Sequence, residues 1–224
     1  SNGKAYITLQ ENNAIAVLDL ASHTYDGIWS AGFEDYSVTP VDLDKKDDAY
    51  APKTYDSLMG LRMPDGIAAF RADGRTYLVT ANEGDAREWG SEELGTFYLS
   101  EDERDFGEEG VTSPTGAITG ENSGLEGKVV FFKTEDFDGL DIGTDYLFGG
   151  RTFTVYEVGA DGITEVFTSG DDFEALTAQY LPEYYNCSND NAVLDDRSGK
   201  KGPEPESVTV GTVDGRTYVF VALE

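Results

Sequence analysis

A pattern of twenty residues occurs twice in this sequence and constrains the fold more than any other feature. Residues 64–83 and 205–224 share, without a gap, a proline, an Asp-Gly-Arg-Thr-Tyr run, a later alanine and a final glutamate. Asp-Gly is typical of a tight two-residue hairpin turn because both residues tolerate positive φ angles. The turn at Asp73 fixes the register of the first hairpin and places Asp65 opposite Asn82. An ungapped repeat of this kind predicts two copies of one structural unit.

A second hairpin is also repeated. Residues 13–31 alternate apolar and polar side chains, turn, and continue into another strand, and residues 150–168 have the same pattern around an Asp-Gly turn. A partial copy of the first hairpin begins the chain at residues 3–8. The repeating block is therefore two hairpins, which together make four antiparallel strands.

Repeated four-stranded antiparallel blocks are typical of β-propeller blades. We therefore expect an all-β fold: a partial β-propeller with two to three blades present, long loop insertions and one short helix. The sequence predicts a single partial propeller domain over residues 1–224. Its blades are expected at about 3–31, about 64–169 with an insertion at 84–127, and about 205–224.

Three long inserts interrupt the strand pattern, at residues 31–63, from 84 to 127 or beyond, and 170–204. Antiparallel geometry places all three on the face where the repeated hairpins begin and end. Long loops on a rigid scaffold are where binding sites usually lie. We therefore expect any binding function on this face.

The inserts carry three local predictions. Two aspartates at 171–172 favour a short helix over 173–180, whose apolar residues share one side: Phe173, Leu176 and Tyr180. Residues 128–133, KVVFFK, predict an extra strand that pairs within the second insert. The charged run at 101–109 is interpreted as a solvated loop.

Composition excludes several classes of function. With 44 acidic and 16 basic residues the net charge is −28, so nucleic acid and anionic membranes would be repelled and cations attracted. Cys187 and His23 are the only residues of their types. An intrachain disulfide, a catalytic triad and a multi-histidine zinc site are therefore excluded for this segment. No apolar run is long enough to predict membrane insertion.

Longer motifs resemble a known family. KAYITLQENNAIAVLDL at the start of the chain is similar to the YVTN type of propeller repeat. The blocks DGIAAFRADGRTYLVTANEGDAREW, FGGRTFTVYEV, SGDDFE and KGPEPESVTVGTVDGRTYVFVALE resemble the choice-of-anchor I family, which includes the mesenchyme-specific cell surface glycoprotein type. This resemblance implies a secreted or surface-displayed propeller, usually with no established reaction.

Carboxylates at the hairpin ends are candidate metal ligands. Hard oxygen ligands suit Ca²⁺, which is the cofactor we expect. The candidate ligands are Asp65, Glu83, Asp85, Glu204 and Glu206. Two prolines stiffen the segment that carries the last two of these glutamates. The alternative is that acids at strand ends cap turns and solubilise the rim.

Three further residues are candidates for the ligand-binding face: Asn82, Arg87 and Glu224. Arg87 could neutralise Glu83 or Asp85, or hold an anionic ligand, and the structural salt bridge is favoured. Asp42, Asp44, Asp47 and Asp48 form an acidic segment for which a flexible loop is favoured over a calcium loop. Asn186 begins a glycosylation sequon.

Two classes of function follow from these residues. We favour a non-catalytic, extracellular or cell-surface propeller that binds cations, glycans, proteins or phosphate ligands. The alternative is a metal-dependent phosphoesterase, in which clustered acids hold cations that polarise phosphate oxygens. That chemistry also needs basic residues on the same face, and the candidates are Arg62, Arg87, Lys200 and Lys201. Uncovered blade faces predict association with the remainder of a propeller or with another copy of the chain.

Overall fold

The computed structural model describes residues 2–86, 103–106 (backbone only), 111–132, 134 and 139–224. The strands are β1 (Lys4–Leu9), β2 (Ala14–Asp19), β3 (Thr24–Ser30), β4 (Phe33–Asp35), β5 (Leu58–Leu61), β6 (Ile67–Ala72), β7 (Arg75–Asn82), β8 (Glu103–Phe106), β9 (Val129–Phe132), β10 (Asp145–Phe148), β11 (Thr152–Val158), β12 (Ile163–Thr168), β13 (Pro205–Val213) and β14 (Arg216–Leu223). The α-helices are α1 (Gly120–Ser123), a single turn, and α2 (Asp172–Tyr180). Neither is long enough to cross a lipid bilayer.

The central sheet has the four antiparallel strands expected of a propeller blade. Its four strands pair antiparallel in the order β12-β11-β7-β6. Ala72 lies opposite Arg75 and Ile67 opposite Thr80, so the register predicted from the Asp-Gly turn is confirmed. Asp73 has a φ of 49°, in the left-handed region that such a turn requires.

Two smaller antiparallel sheets, which we call the outer blades, flank the central one. The sheet β1-β2-β3 lies on one side and the hairpin β13-β14 on the other, with β1 against β6 and β13 against both β6 and β7. Ile15 of the first blade packs with Leu78 and Tyr156 of the second in a buried apolar cluster. On the other side, the Gly66 amide donates a 2.9 Å hydrogen bond to the Glu206 carbonyl. The predicted all-β, partial propeller fold is confirmed.

The described parts of the three inserts pack against one another, and we call them the cap (the described residues within 31–63, 83–151 and 170–204). It contains a small mixed sheet in which β5 pairs antiparallel with β4 and parallel with β10. Its principal apolar cluster consists of Tyr36, Val41, Leu43, Tyr55, Leu58, Val111, Ile118, Leu125, Val129, Phe131 and Leu147. The inserts therefore contain more regular structure, and more core, than their sequence indicated.

The strand predicted at KVVFFK is confirmed as β9, which pairs with β8 inside the second insert. The prediction of a loop for the charged run at 101–109 is wrong at residues 103–106, which form β8. All four residues of β9 are buried, and buried backbone amides and carbonyls need hydrogen-bond partners. The charged segment supplies them, although its composition does not favour a strand.

The helix predicted in the third insert is confirmed as α2, but its apolar side is not its buried side. Leu176 is 48% and Tyr180 70% exposed, whereas Glu174 is 2% exposed. Phe173 is half-buried and its ring lies 5.9 Å from that of Phe153. The helix is thus anchored by a buried carboxylate, because Glu174 pairs with Arg151 at 2.7 Å.

Candidate functional site

Three glutamates meet where the cap joins the ends of the repeated hairpins. Glu83 follows β7, Glu224 follows β14, and Glu204 directly precedes β13. One carboxylate oxygen from each residue lies within 4.8 Å of the other two. The Glu224 amide also donates a 2.9 Å hydrogen bond to the Glu204 carbonyl, and this bond holds the backbones of the two residues next to each other. We call Glu83, Glu204 and Glu224 the rim cluster.

Lys201 from the third insert bridges two members of the rim cluster. Its ammonium lies 2.7 Å from Glu83 Oε1 and 3.1 Å from Glu204 Oε1. It is also 3.8 Å from the Asp85 carboxylate. Glu204 has a second basic partner, since Arg197 Nε donates to its Oε2 at 2.7 Å. The cluster is therefore a mixed site, in which side chains of the cap neutralise part of the carboxylate charge.

The two buried glutamates of the rim cluster differ in their electrostatics. Burial raises the pKa of Glu83, and the hydrogen bonds from Lys201 and Gln10 act against this rise. Burial acts in the same direction on Glu204, but the hydrogen bond from Arg197 and the charge of Lys201 outweigh it and lower its pKa. Glu204 is thus held ionised, whereas Glu83 is the more readily protonated of the pair.

The other predicted ligands lie around the rim cluster. Burial raises the pKa of the half-buried Asp65, and the charges of Glu206 and Asp85 raise it further. Asp85 is largely exposed, with 59% of its side chain accessible. Glu206 is exposed at a β-bulge, where the register of β13 shifts between Pro205 and Ser207. Within the described residues Glu224, and not Glu206, completes the group with Glu83 and Glu204.

The structure places Asn82 inside the central blade and not on the ligand-binding face. Asn82 is fully buried. Its Nδ2 donates to the hydroxyls of Thr152 and Thr154, each at 2.8 Å, and its Oδ1 accepts from Thr80 at 2.8 Å. The side-chain amide is committed to these three threonine hydroxyls inside the sheet, so it is not available to a ligand. Arg87 lies outside the described residues.

The glycine in the acidic sequence Asn-Glu-Gly-Asp has a packing role. A Cβ built on Gly84 would lie 2.0 Å from the nitrogen of Gly149, and both glycines have positive φ angles, 87° and 77°. The end of β7 therefore crosses the end of β10 in direct backbone contact. The crossing of these two segments excludes a side chain at Gly84.

A cavity of about 200 Å³ adjoins the rim cluster. Its walls are formed by Asp85, Ala86, Val130, Phe148, Arg197, Lys200 and Lys201. Of the basic residues proposed for phosphate chemistry, Lys200 and Lys201 reach this cavity. Arg62 does not, because it is buried and pairs with Glu34 at 2.9 Å and with Glu165 at 2.6 Å.

The acidic segment at 42–48 is not a flexible loop throughout, so the favoured interpretation is wrong for its first half. Asp42 and Asp44 are buried. Asp42 Oδ2 accepts hydrogen bonds from the Ala51 amide at 2.8 Å and the Tyr185 hydroxyl at 3.0 Å. These aspartates shape the backbone of the first insert, because their carboxylates satisfy amides that would otherwise be buried without partners. Asp47 and Asp48 are exposed.

The sequon at Asn186 is buried. The side chain is 3% exposed, and its Nδ2 donates to Glu174 Oε1 at 3.1 Å and to Ser198 Oγ at 2.8 Å. The nitrogen that would carry a glycan is therefore part of the cap interior in the folded protein.

Sequence reasoning missed the roles of Lys201, Arg197 and Gln10 in the site. Lys201 had been considered only as a phosphate ligand, yet it contacts Glu83, a residue 118 positions away in the chain. No local pattern encodes a contact of this separation. The nearest signal was the basic segment just before the two prolines, which places positive charge next to Glu204.

Successive antiparallel sheets of up to four strands, with inserts gathered at one end, define a propeller-type all-β domain. The chain belongs to the choice-of-anchor I domain family, whose model matches residues 1–224, as the resemblance predicted. It is 30% identical over 225 residues to the mesenchyme-specific cell surface glycoprotein of Strongylocentrotus purpuratus, covering 86% of this chain and 28% of that protein. It is also 34% identical over 84 residues to Gigasin-3a of Magallana gigas, covering 35% of this chain and 29% of that protein. The chain thus spans less than a third of each relative's length, and no solved structure matches it.

Proposed function

We propose that this chain is a non-catalytic binding module of an extracellular or cell-surface protein, and that its rim cluster binds Ca²⁺. The location is supported by the relative named as a cell surface glycoprotein. Cation binding is supported by one principal observation: the carboxylates of Glu83, Glu204 and Glu224 lie within 4.8 Å of one another. Ca²⁺ prefers six to eight oxygen ligands, and carboxylates from several chain segments supply them.

The charge around the rim cluster favours a cation. Asp65, Asp85 and Glu206 surround the three glutamates, while Lys201 and Arg197 are the basic residues that face them in the described structure. An excess of acid remains after these pairs are formed. Lys201 carries its charge on a flexible four-carbon stem, so it can withdraw when an ion enters. In this proposal Lys201 competes with Ca²⁺ for Glu83 and Glu204.

The competition by Lys201 gives a direct test. Protein stripped with EGTA is titrated with CaCl₂ by calorimetry, and its melting temperature is followed with and without Ca²⁺. We expect Glu83→Gln and Glu224→Gln to weaken binding at least about tenfold. The Lys201→Met protein should bind Ca²⁺ more tightly than the wild type. Its stability should also depend on Ca²⁺, because the carboxylates of Glu83 and Glu204 have lost the counter-charge of Lys201.

Glu157→Gln is the matched control for these variants, since this glutamate pairs with Arg75 on an exposed blade surface. It should leave Ca²⁺ binding unchanged. Equal Ca²⁺ affinities in the wild type, Glu83→Gln and Lys201→Met proteins would overturn the rim assignment.

A second candidate function, a metal-dependent phosphoesterase, is favoured by the cavity beside the rim cluster. Arg197, Lys200 and Lys201 line it together with Asp85, so a phosphate group there would meet basic side chains next to carboxylates. The protein is assayed on phosphate monoesters and phytate with added Ca²⁺. Our proposal expects no turnover. Turnover that Glu83→Gln abolishes would replace the non-catalytic proposal with the enzymatic one.

The outer blades support a proposal about partners. On β3, Tyr25 and Ile28 are each 62% exposed, and on β14, Tyr218 and Phe220 are 43% and 58% exposed. Large apolar side chains on an uncovered sheet favour packing against another sheet. We propose that the remainder of a propeller or a second copy of the chain covers these surfaces, and light scattering distinguishes a monomer from an assembly. Glycans, proteins and phosphate compounds remain the proposed ligand classes for the cap side.

A further inference from the structure

The cap contains a buried carboxylate whose charge is not compensated. Asp195, in the third insert, is fully buried. Its Oδ1 accepts a hydrogen bond from the Ser198 hydroxyl. Its Oδ2 is also buried, and no group in the described structure donates a hydrogen bond to it. Asp195 Oδ2 therefore carries negative charge in the protein interior without a hydrogen-bond donor.

The neighbours of Asp195 add negative charge. The carboxyl group of Asp47, from the first insert, lies against that of Asp195, and the buried Asp42 is close enough to repel it. Three carboxyl groups from two inserts thus converge on one small region.

Nearby basic residues are committed elsewhere. Arg151 pairs with Glu174 at 2.7 Å and donates to the backbone carbonyls of Asp42, Ser198 and Lys200. Lys45 lies 3.5 Å from the neighbouring Asp196. Within the described residues no lysine or arginine forms an ion pair with Asp195. This differs from the rim cluster, where Lys201 and Arg197 supply the positive charge.

A buried carboxylate without a counter-charge is strongly unfavourable, so it binds either a proton or a cation. Asp47 is exposed, so an ion with its bound water can approach from the Asp47 side, while Asp195 lies beneath it in the interior. A second buried oxygen without a donor, Asn186 Oδ1, belongs to the same hydrogen-bond chain, because Asn186 Nδ2 donates to Ser198 at 2.8 Å. Hard oxygen ligands of this kind, completed by water, suit Ca²⁺.

We propose that Asp47 and Asp195 form a Ca²⁺ site in the cap, with Asp195 supplying a buried oxygen and Asp47 an exposed one. The ion joins the first insert to the third and offsets the charge that Asp42 and Asp195 bring into the interior. This site goes beyond the proposed function, since it uses none of the residues of the rim cluster. It also gives the cap a stability that depends on Ca²⁺.

The test uses Glu83→Gln protein, in which the rim cluster is weakened. After treatment with EGTA, the protein is titrated with CaCl₂ by calorimetry and with Tb³⁺, whose emission is sensitised by nearby tyrosines. Tyr185 donates to Asp42 Oδ2 at 3.0 Å, and the ring of Tyr50 lies 5.5 Å from that of Tyr185, so Tb³⁺ at the proposed site has aromatic donors beside it. We expect binding and a rise in melting temperature with Ca²⁺.

Adding Asp195→Asn should weaken Ca²⁺ binding at least about tenfold and remove both the Tb³⁺ emission and the rise in melting temperature. Without Ca²⁺ this variant should melt at the same temperature as its parent or higher, because the substitution removes a buried charge. Asp196→Asn is the matched control: the residue is adjacent in sequence and 42% exposed, and its loss should leave Ca²⁺ binding unchanged.

The results separate this site from the rim cluster. If Glu83→Gln alone abolishes Ca²⁺ binding, the cap proposal is overturned and the rim proposal stands. If Asp195→Asn abolishes binding and Glu83→Gln has no effect, the reverse holds. Equal affinity in the Asp195→Asn and parent proteins overturns the cap site.

Discussion

The blades and the cap are stabilised in different ways. In the central blade, β6 and β7 are neighbours in sequence, and one Asp-Gly turn sets every pair between them. In the cap, β5 pairs with β10 although the whole central hairpin lies between them in the chain. Each hairpin of the blades is therefore built from local contacts. The pairing of β11 with β7 and the assembly of the cap, in contrast, both need distant segments to meet.

The two regions also differ in where they place charge. The blade pair Arg75–Glu157 is solvent-accessible, with side chains 61% and 29% exposed. The cap pair Arg151–Glu174 is 3% and 2% exposed. A buried ion pair constrains the positions of both side chains, because losing either one leaves the other charge buried without compensation. The inserts are therefore joined by buried polar contacts as well as by the apolar cluster.

The largest expected effect comes from removing one partner of the buried cap pair. Arg151→Met should lower the free energy of unfolding by about 4 kcal/mol, because Glu174 then remains buried without a counter-charge. Arg75→Met, the matched substitution in the blade, should cost less than about 1 kcal/mol. Urea denaturation measures both. Similar losses in the two variants would mean that the cap and the blades do not differ in this respect.

A smaller effect is expected where two blades touch. A Cβ on Gly66 would lie 2.7 Å from the Glu206 carbonyl oxygen and 2.9 Å from Ser207 Cα. Gly66→Ala should therefore separate β6 from β13 and cost about 2 kcal/mol, as overpacking typically does. Gly211→Ala is the control, because its nearest neighbour would be a flexible ring atom at 3.6 Å. If thermal melting shows no difference between the two variants, the blade contact is looser than the structure indicates.

The smallest effects, which depend on pH, have opposite signs in the two regions. In the first blade, the hydrogen bond from Lys4 lowers the pKa of Asp19, so its contribution to stability is present above about pH 4 and lost as the pH falls. In the cap, burial raises the pKa of Asp195 from 3.8 to about 7. The stability contributed by its bound proton is present below about pH 4 and lost as the pH rises to about 7.

This contrast is measured in EGTA, as the difference in unfolding free energy between the wild type and Asp19→Asn or Asp195→Asn. Between pH 4 and pH 7 the unfolding free energy of the wild type should fall relative to that of Asp195→Asn. Relative to that of Asp19→Asn it should not fall. A constant difference for Asp195→Asn across this range would contradict the electrostatic description of the cap.

The blades could be predicted from the sequence because a turn and an alternating pattern specify a hairpin within twenty residues. The cap could be predicted only in part. KVVFFK and the helix in the third insert have local signals, but the pairing of β5 with β10 joins segments that are far apart in the chain. The site shows the same division. Glu83 and Glu224 end equivalent hairpins and were recognised as candidates, whereas the contact of Lys201 with Glu83 depends on how the inserts pack. The burial of Asn82 is not evident from the sequence, because a polar amide at a strand end is typical of an exposed rim, whereas here the hydroxyls of three threonines enclose it.

The cap also has a consequence for the order in which the chain acquires structure during synthesis. The Asp-Gly hairpins can form as soon as they leave the ribosome, because closing a two-residue turn costs little entropy. The sheet containing β9 must wait, since the Val130 amide donates to the carbonyl of Gly199, which is made much later, at 2.8 Å. Until that residue emerges, the apolar side chains of β9 are not fully buried. The nascent chain is therefore most exposed to aggregation after the central blade has folded and before the third insert is complete.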